Sequence, residues 1–294
     1  MASVIGTGSA ALFKAISSPL QGWRRQQDND PVSSKEATQE KFGAIIEADF
    51  IPRFLMRQPL VKPAGVDVPV SREEAERFAE LPLSLEAGDL LCEAEAFLRR
   101  GTSVESVFLD LLAPSARHMG RMWEEDECDF VEVTMGLWRL QEVMREIAAR
   151  SPPILKAVAG PRRVLFTPVP GDQHSFGALL MDEVFARGGW ESEALVDPRR
   201  RELLDRIASR TFDLVGLTVT ADCPSGALSQ LISAIRSVSP NPHLSVMIGG
   251  RVVNEDPGLV AIVGADGTAS DAREALCVAE QLVENAASGA RHAY

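Results

Sequence analysis

Asp172-Gln173-His174-Ser175-Phe176-Gly177 comes just after the apolar run Arg163-Val164-Leu165-Phe166-Thr167-Pro168-Val169. The run reads as a buried strand. A histidine on the loop after such a strand stands at the sheet edge where open α/β folds bind ligands. An aspartate two residues earlier takes one ring N–H, which fixes the tautomer and raises the basicity of the other nitrogen. Gly177 either turns the loop tightly into the next helix or lets a ligand approach the backbone. Two later strand ends carry related chemistry: Thr218-Val219-Thr220 offers hydroxyls, and Gly249-Gly250 offers space. Taken alone, Gly249-Gly250 is most simply an ordinary strand-end turn.

Outward from this stretch, strand-like and helix-like segments alternate. Strands are expected at Val164–Val169, Ser192–Val196, Leu214–Val219 and Leu244–Ile248, with a short fifth at Ala261–Val263. Helices are expected at Phe176–Arg187, Arg199–Ser209, Gly226–Val238 and Ala272–Val283. Continuous apolar strands alternating with helices predict a doubly wound parallel, flavodoxin-like sheet over residues 161–290. All three motif pieces then fall at C-terminal strand ends, where one crevice gathers them.

The preceding half, residues 71–152, predicts an all-α four-helix bundle. Ser71-x-x-Glu74 is a capping box. Ser84 is placed to cap a helix running to Arg100, with Gly101 just beyond its end. Thr102-x-x-Glu105 opens the next helix, in which Val104, Phe108, Leu111, Leu112, Met119 and Trp123 recur at helical spacing. A last helix spans Phe130 to Arg150, and Pro152-Pro153 closes the domain. Residues 1–70 are read as a variable, partly disordered region. Within it lie a polar linker over 24–40 and a helical segment from Phe42 to Met56 that Pro52 kinks or splits. The first 20 residues read either as a loose tail or as a short amphipathic segment that docks on a partner.

The 294 residues carry 30 basic and 42 acidic side chains, a formal charge of −12. Such a balance excludes nucleic-acid binding by bulk electrostatics, since phosphate contacts need a basic footprint. Arg162-Arg163 and Arg199-Arg200-Arg201 are short basic clusters that read as solvated surface. Cys92, Cys128, Cys223 and Cys277 follow no zinc-ligand spacing and suit a reducing, cytoplasmic protein. No apolar run of about 18 residues offers a membrane span. No acid–base constellation capable of independent catalysis is visible, so an enzyme is not expected.

The three spaced motifs resemble those of the cobalamin (vitamin B12)-binding domain of methionine synthase, corrinoid methyl carriers and cobalamin-dependent regulators. That resemblance implies a cobalamin cofactor, in hydroxo-, adenosyl- or methyl form. It implies His174 as the lower axial ligand of cobalt and Asp172 as its hydrogen-bonding partner. Gly177, Thr218, Thr220, Gly249, Gly250 and Gly267 would accommodate the displaced nucleotide tail. The family's second motif usually begins with serine; here Thr218 keeps the hydroxyl.

The helical half resembles the cap that covers the cofactor's upper face in that family, and Trp123 stands where the cap tryptophan is expected. A bundle-core role is the other reading of Trp123. Light-sensing transcription factors of this class carry a Glu-His pair after the tryptophan, but here Val133-Thr134 takes its place. Thr134 is therefore assigned to the cofactor face, and Trp138, one turn on, shares its side of the helix. His118 lies on a different helical face from Trp123.

The segment from Phe130 to Gln141 resembles the AerR/PpaA antirepressors of photosynthetic bacteria, which have a variable N-terminal stretch, a helical cap and a B12 domain. This implies a light-responsive transcriptional regulator without its own DNA-reading domain. It would relieve repression of photosynthesis and pigment genes by binding a DNA-binding repressor. The alternative is a corrinoid carrier serving a methyltransferase system. A fold that binds nothing and only bridges proteins is a third possibility, which the intact Asp172-x-His174-x-x-Gly177 argues against.

Overall fold

A computed structural model describes residues 67–153, 160, 162–220 and 223–291. The linker at 24–40, the Phe42–Met56 segment and nearly all of the N-terminal region expected over 1–70 lie outside the described residues. The described residues fall within one compact unit.

The first half is helical. Helices α1 (Arg72–Ala79) and α2 (Leu81–Ser84) lead into α3 (Ala87–Arg99). Next come α4 (Val104–Ser106), a π-helical segment at Val107–Leu112, α5 (Ala113–Glu124) and α6 (Phe130–Arg150). Ser71 and Glu74 form the expected capping box, and Gly101 follows α3 with φ of 103°. Two start signals differ from expectation. The Ser84 hydroxyl donates to the Leu81 carbonyl, because Pro82 has already started a short helix there. Ser103, not Thr102, caps α4 by accepting from Ser106 N–H. The π segment lies just before Pro114, which lacks the N–H that would take the Asp110 carbonyl in regular helical register. Asp129 and Glu132 form a second capping box, at the start of α6.

Phe108, Leu111, Leu112, Met119, Leu140 and Ile147 are fully buried in the helical core. Phe176 and Leu180, from the other half, complete it. Burying side chains of this size supplies roughly 1.5–3 kcal/mol each, so the helical half is seated on the α/β half through its own core.

The second half is a parallel sheet. Strands β1 (Arg163–Pro168), β2 (Glu191–Ala194), β3 (Leu214–Thr218) and β4 (Ser245–Gly249) lie in the order β2-β1-β3-β4. Helices α7 (Phe176–Arg187) and α12 (Ala272–Arg291) pack on Val164, Phe166, Leu214 and Met247. Helices α8 (Arg200–Ser209) and α9 (Ser225–Val238) pack on Leu165, Val215, Leu217 and Val246 on the opposite face. The chain therefore has the doubly wound α/β fold expected, preceded by helices. Strand β2 is an edge, and its charged residues are paired: Glu191 with Arg163 and Arg210, Glu193 with Arg206 and Arg210. Such charge blunts an edge against pairing with another chain.

One expected strand is a helix. Ala261–Val263 belongs to α11 (Leu259–Val263), which follows the short α10 (Arg251–Glu255). Leu259 and Val263, one turn apart, are buried, Ile262 is 65% exposed, and Gly264 ends the helix at φ of 75°. The sheet's far edge instead holds an isolated bridge between Met247 and Gly267.

Candidate functional site

The order β2-β1-β3-β4 reverses direction between β1 and β3, and a doubly wound sheet opens its ligand crevice at such a reversal. The loops leaving β1 and β3 meet there. Asp172 is buried, and its Oδ1 accepts from both His174 N–H (3.0 Å) and His174 Nδ1 (2.6 Å). Its Oδ2 accepts from Thr220 N–H at 3.0 Å. One carboxylate thus fixes the first motif to the second. With Nδ1–H donated, the neutral ring keeps its acceptor lone pair on Nε2. The His174 side chain is 59% exposed, against 3% for Asp172, so the imidazole stands out of the loop while its anchor is enclosed.

The electrostatics follow this geometry. The hydrogen bond to Asp172 holds the His174 imidazole above its ordinary range, against burial and the nearby charge of Arg251. Burial pushes the Asp172 carboxyl upward, but bonds from His174 and from Thr220 N–H outweigh it and hold the group below its usual range.

The remaining predicted residues divide by position. Gly177 is the second residue of α7, and the nearest atom to a Cβ built there is Thr218 Cγ2, at 3.8 Å. Thr218 Oγ1 is buried and makes no hydrogen bond among the described residues. Gly249 and Gly250 behave differently from each other. A Cβ on Gly249 would meet nothing within 4 Å, whereas one on Gly250 would sit 2.6 Å from the Val219 carbonyl oxygen, at φ of 107°. Sequence reasoning treats the pair alike, yet only Gly249 borders open space; Gly250 is required by its own backbone. Gly267 lies against Leu282 and Val278 of α12, with 3.1 Å and 3.3 Å available to a Cβ.

In the helical half, Trp123 is 47% exposed, with its ring edge-on to Phe130 at 6.3 Å. It is therefore not a bundle-core residue. Thr134 is half-buried, and on α6 it shares an outward face with Val131 (56% exposed) and Trp138 (38% exposed). His118 is half-buried and lies 3.4 Å from an Arg121 nitrogen.

Three residues escaped the sequence reading. Arg251, directly after Gly250, donates to the Thr220 carbonyl (3.3 Å) and pairs with Glu124 (3.5 Å), the residue after Trp123. Thr268, after Gly267, has a buried Oγ1 with no hydrogen bond among the described residues. The adjacency of Arg251 and Glu124 to motif residues was visible in the sequence, but their pairing required the fold.

No family model matches the chain. An uncharacterized 20.5 kDa protein in the bchF-crtJ intergenic region of Rhodobacter capsulatus is 27% identical over 168 residues, 57% of this chain and 87% of that protein. The structure of the Methanosarcina barkeri monomethylamine corrinoid protein superposes with a TM-score of 0.60 at 16% identity, over 73% of this chain and 99% of that one. This chain therefore shares that protein's fold. A cobalamin-binding protein from Desulfitobacterium hafniense DCB-2 matches at 17% identity, covering 71% of this chain and 98% of its own, with a TM-score of 0.38. No helix among the described residues is long and apolar enough to cross a membrane.

Proposed function

We propose that the chain is a cobalamin-binding regulator that acts through protein contacts. The observation that carries this reading is the site itself: a half-exposed imidazole held through Nδ1 by a buried carboxylate. Neutral imidazole suits a transition metal, and a carboxylate on the other nitrogen orients it and strengthens it as a ligand. The surroundings fit the rest of such a cofactor. Thr218 holds an unused buried hydroxyl, and Gly249 faces open space. Trp123, Val131 and Trp138 present apolar surface that the helical core does not use. The shared fold with a corrinoid protein supports the same cofactor.

In this reading His174 would hold cobalt through Nε2, and Asp172 would fix its ring. Gly177, Thr218, Thr220, Gly249, Gly250 and Gly267 would hold the cofactor's nucleotide tail, and Trp123 and Thr134 would cover it from the helical half. The bound cofactor supplies a light-labile cobalt–ligand bond, and the chain contributes binding, orientation and exclusion of water. The readout is contact with a DNA-binding repressor, as in antirepressors of the AerR/PpaA type. The R. capsulatus relative, named for its place between bchF and crtJ, supports this setting. A corrinoid carrier serving a methyltransferase is the second reading, and the superposition over 99% of a monomethylamine corrinoid protein favours it equally.

The test is absorption spectroscopy of the full chain with hydroxo- and adenosylcobalamin, in the dark and illuminated, for wild type and His174→Ala. A shifted, stable cobalamin spectrum that the substitution abolishes or alters supports histidine-bound cobalt. Uptake of no cobalamin in any form overturns the proposal. Cobalamin-dependent release of a repressor from its DNA separates the regulator from the carrier, which would instead exchange methyl groups with a methyltransferase.

A further inference from the structure

Glu124, Arg251, Thr220, Asp172 and His174 form an unbroken series of polar contacts from the end of α5 to the exposed imidazole. Glu124 Oε1 lies 3.5 Å from Arg251 Nε. A second Arg251 nitrogen, Nη2, donates an N–H to the Thr220 carbonyl oxygen at 3.3 Å. Thr220 N–H donates to Asp172 Oδ2 at 3.0 Å, and Asp172 Oδ1 accepts from His174 Nδ1 at 2.6 Å. We infer that Arg251 is a positioning residue that ties the Trp123-bearing end of α5 to the sheet edge beside His174.

Three features place Arg251 in this role. It follows Gly250, whose φ of 107° and close approach to Val219 fix where the next side chain departs. Its contacts reach three separate elements: α5 through Glu124, the loop after β3 through Thr220, and its own helix through Glu255 at 3.2 Å. Glu124 is the last residue of α5, immediately after the half-exposed Trp123, so any shift of Glu124 carries the indole with it.

The tie is also breakable. Arg251 is 48% exposed and Glu124 is 53% exposed. Water competes for such a pair, so its strength is small and depends on salt. The rest of the seam does not depend on this pair: Arg273 bonds Asp110 through two contacts of 2.8 Å and 2.9 Å, and Phe176 and Leu180 are buried in the helical core. The end of α5 can therefore lift while the helical half stays seated. The tie is made by the chain's own residues; its consequence for a bound corrinoid rests on the function proposed above.

The test is hydrogen exchange by mass spectrometry on the cofactor-free full chain, followed through the peptide covering residues 119–127. Arg251→Ala and Glu124→Ala are each expected to speed exchange there by about two- to fivefold at low salt, the range of a surface ion pair. Peptides from α3 and the second half of α6 should not change. The double variant should exchange no faster than either single one, and Arg251→Glu combined with Glu124→Arg should restore protection. Additive effects of the two alanines, or an unchanged 119–127 peptide, would overturn the tie. If exchange responds as expected but hydroxocobalamin release is unchanged, Arg251 does not position the cap for a cofactor. If no variant and no wild type takes up hydroxocobalamin, it is the cofactor reading that fails and the tie that survives.

Discussion

Thr218→Val tests the site because two effects of one atom should run in opposite directions. The Thr218 hydroxyl is buried at the end of a central strand and has no partner among the described residues. An unsatisfied buried polar group costs about 1–3 kcal/mol. The low end applies here, because Thr218 ends its strand and is only half-buried as a residue. Valine keeps the shape and suits a strand at least as well. The cofactor-free variant should therefore be more stable by about 1 kcal/mol, a rise in Tm of roughly 2–4 °C for a chain of this size. If the hydroxyl instead bonds the nucleotide tail of a bound cobalamin, its loss should weaken binding by about 0.5–1.5 kcal/mol, or roughly two- to tenfold. Thermal unfolding with and without hydroxocobalamin, together with spectroscopic titration, measures both. Cobinamide, which lacks the nucleotide, supplies the control: its affinity should be the same for wild type and variant. A variant that is less stable without cofactor and binds cobalamin normally would show that the hydroxyl serves the fold alone, and would refute the argument.

The glycine pair gives a second contrast. Gly250→Ala should destabilise the fold by about 1–3 kcal/mol, because an L side chain is strained at φ of 107° and meets the Val219 carbonyl; chemical denaturation reads this directly. Gly249→Ala should leave the denaturation midpoint nearly unchanged and instead reduce cobalamin uptake, because its Cβ would enter open space. Asp172→Asn should lower the His174 pKa, measured by proton NMR in the cofactor-free protein, because the bond that holds the imidazole above its ordinary value is lost. The linkage has a defined sign. The raised imidazole stabilises the fold below its unfolded pKa, and the depressed carboxyl does so above its own. The stability gap between wild type and this variant should thus be widest at about pH 4–6.5, between the two unfolded values, and should narrow on either side. Phe176→Ala should cost about 3–5 kcal/mol and loosen both halves together, because this α/β residue is buried in the helical core.

Much of the site was legible in the sequence because its chemistry is local. The Asp172–His174 bond spans two residues, so spacing alone sufficed to propose it, and the structure shows it at 2.6 Å. The α6 boundaries were also local: apolar positions at three- and four-residue steps and a closing Pro152-Pro153 set Phe130–Arg150. The misreadings came where local signals were ambiguous. Ala261–Val263 is a short apolar run, and periodicity cannot separate strand from helix at that length. The buried pair Leu259 and Val263 settled it as helix. Thr102 and Ser103 are both capable caps, and the backbone used the second.

What composition and spacing could not reveal is the way the two halves share the site. Resemblance assigns Trp123 to the cofactor face, and spacing cannot by itself exclude the core, since both places suit an aromatic residue at helical spacing. Its exposure follows from an arrangement of whole elements, in which Met119 one turn earlier fills the core and Glu124 one residue later reaches Arg251. The same arrangement explains why Asp172 is buried although it lies on a loop. It accepts from two loops at once, so its burial depends on β1 and β3 being neighbours, which only the strand order decides. A carboxylate enclosed for this reason is a poor surface ornament and a good anchor. It holds an imidazole outward beside the reversal of strand order, where doubly wound sheets bind ligands, and this is the physical ground for expecting a metal-bearing ligand there.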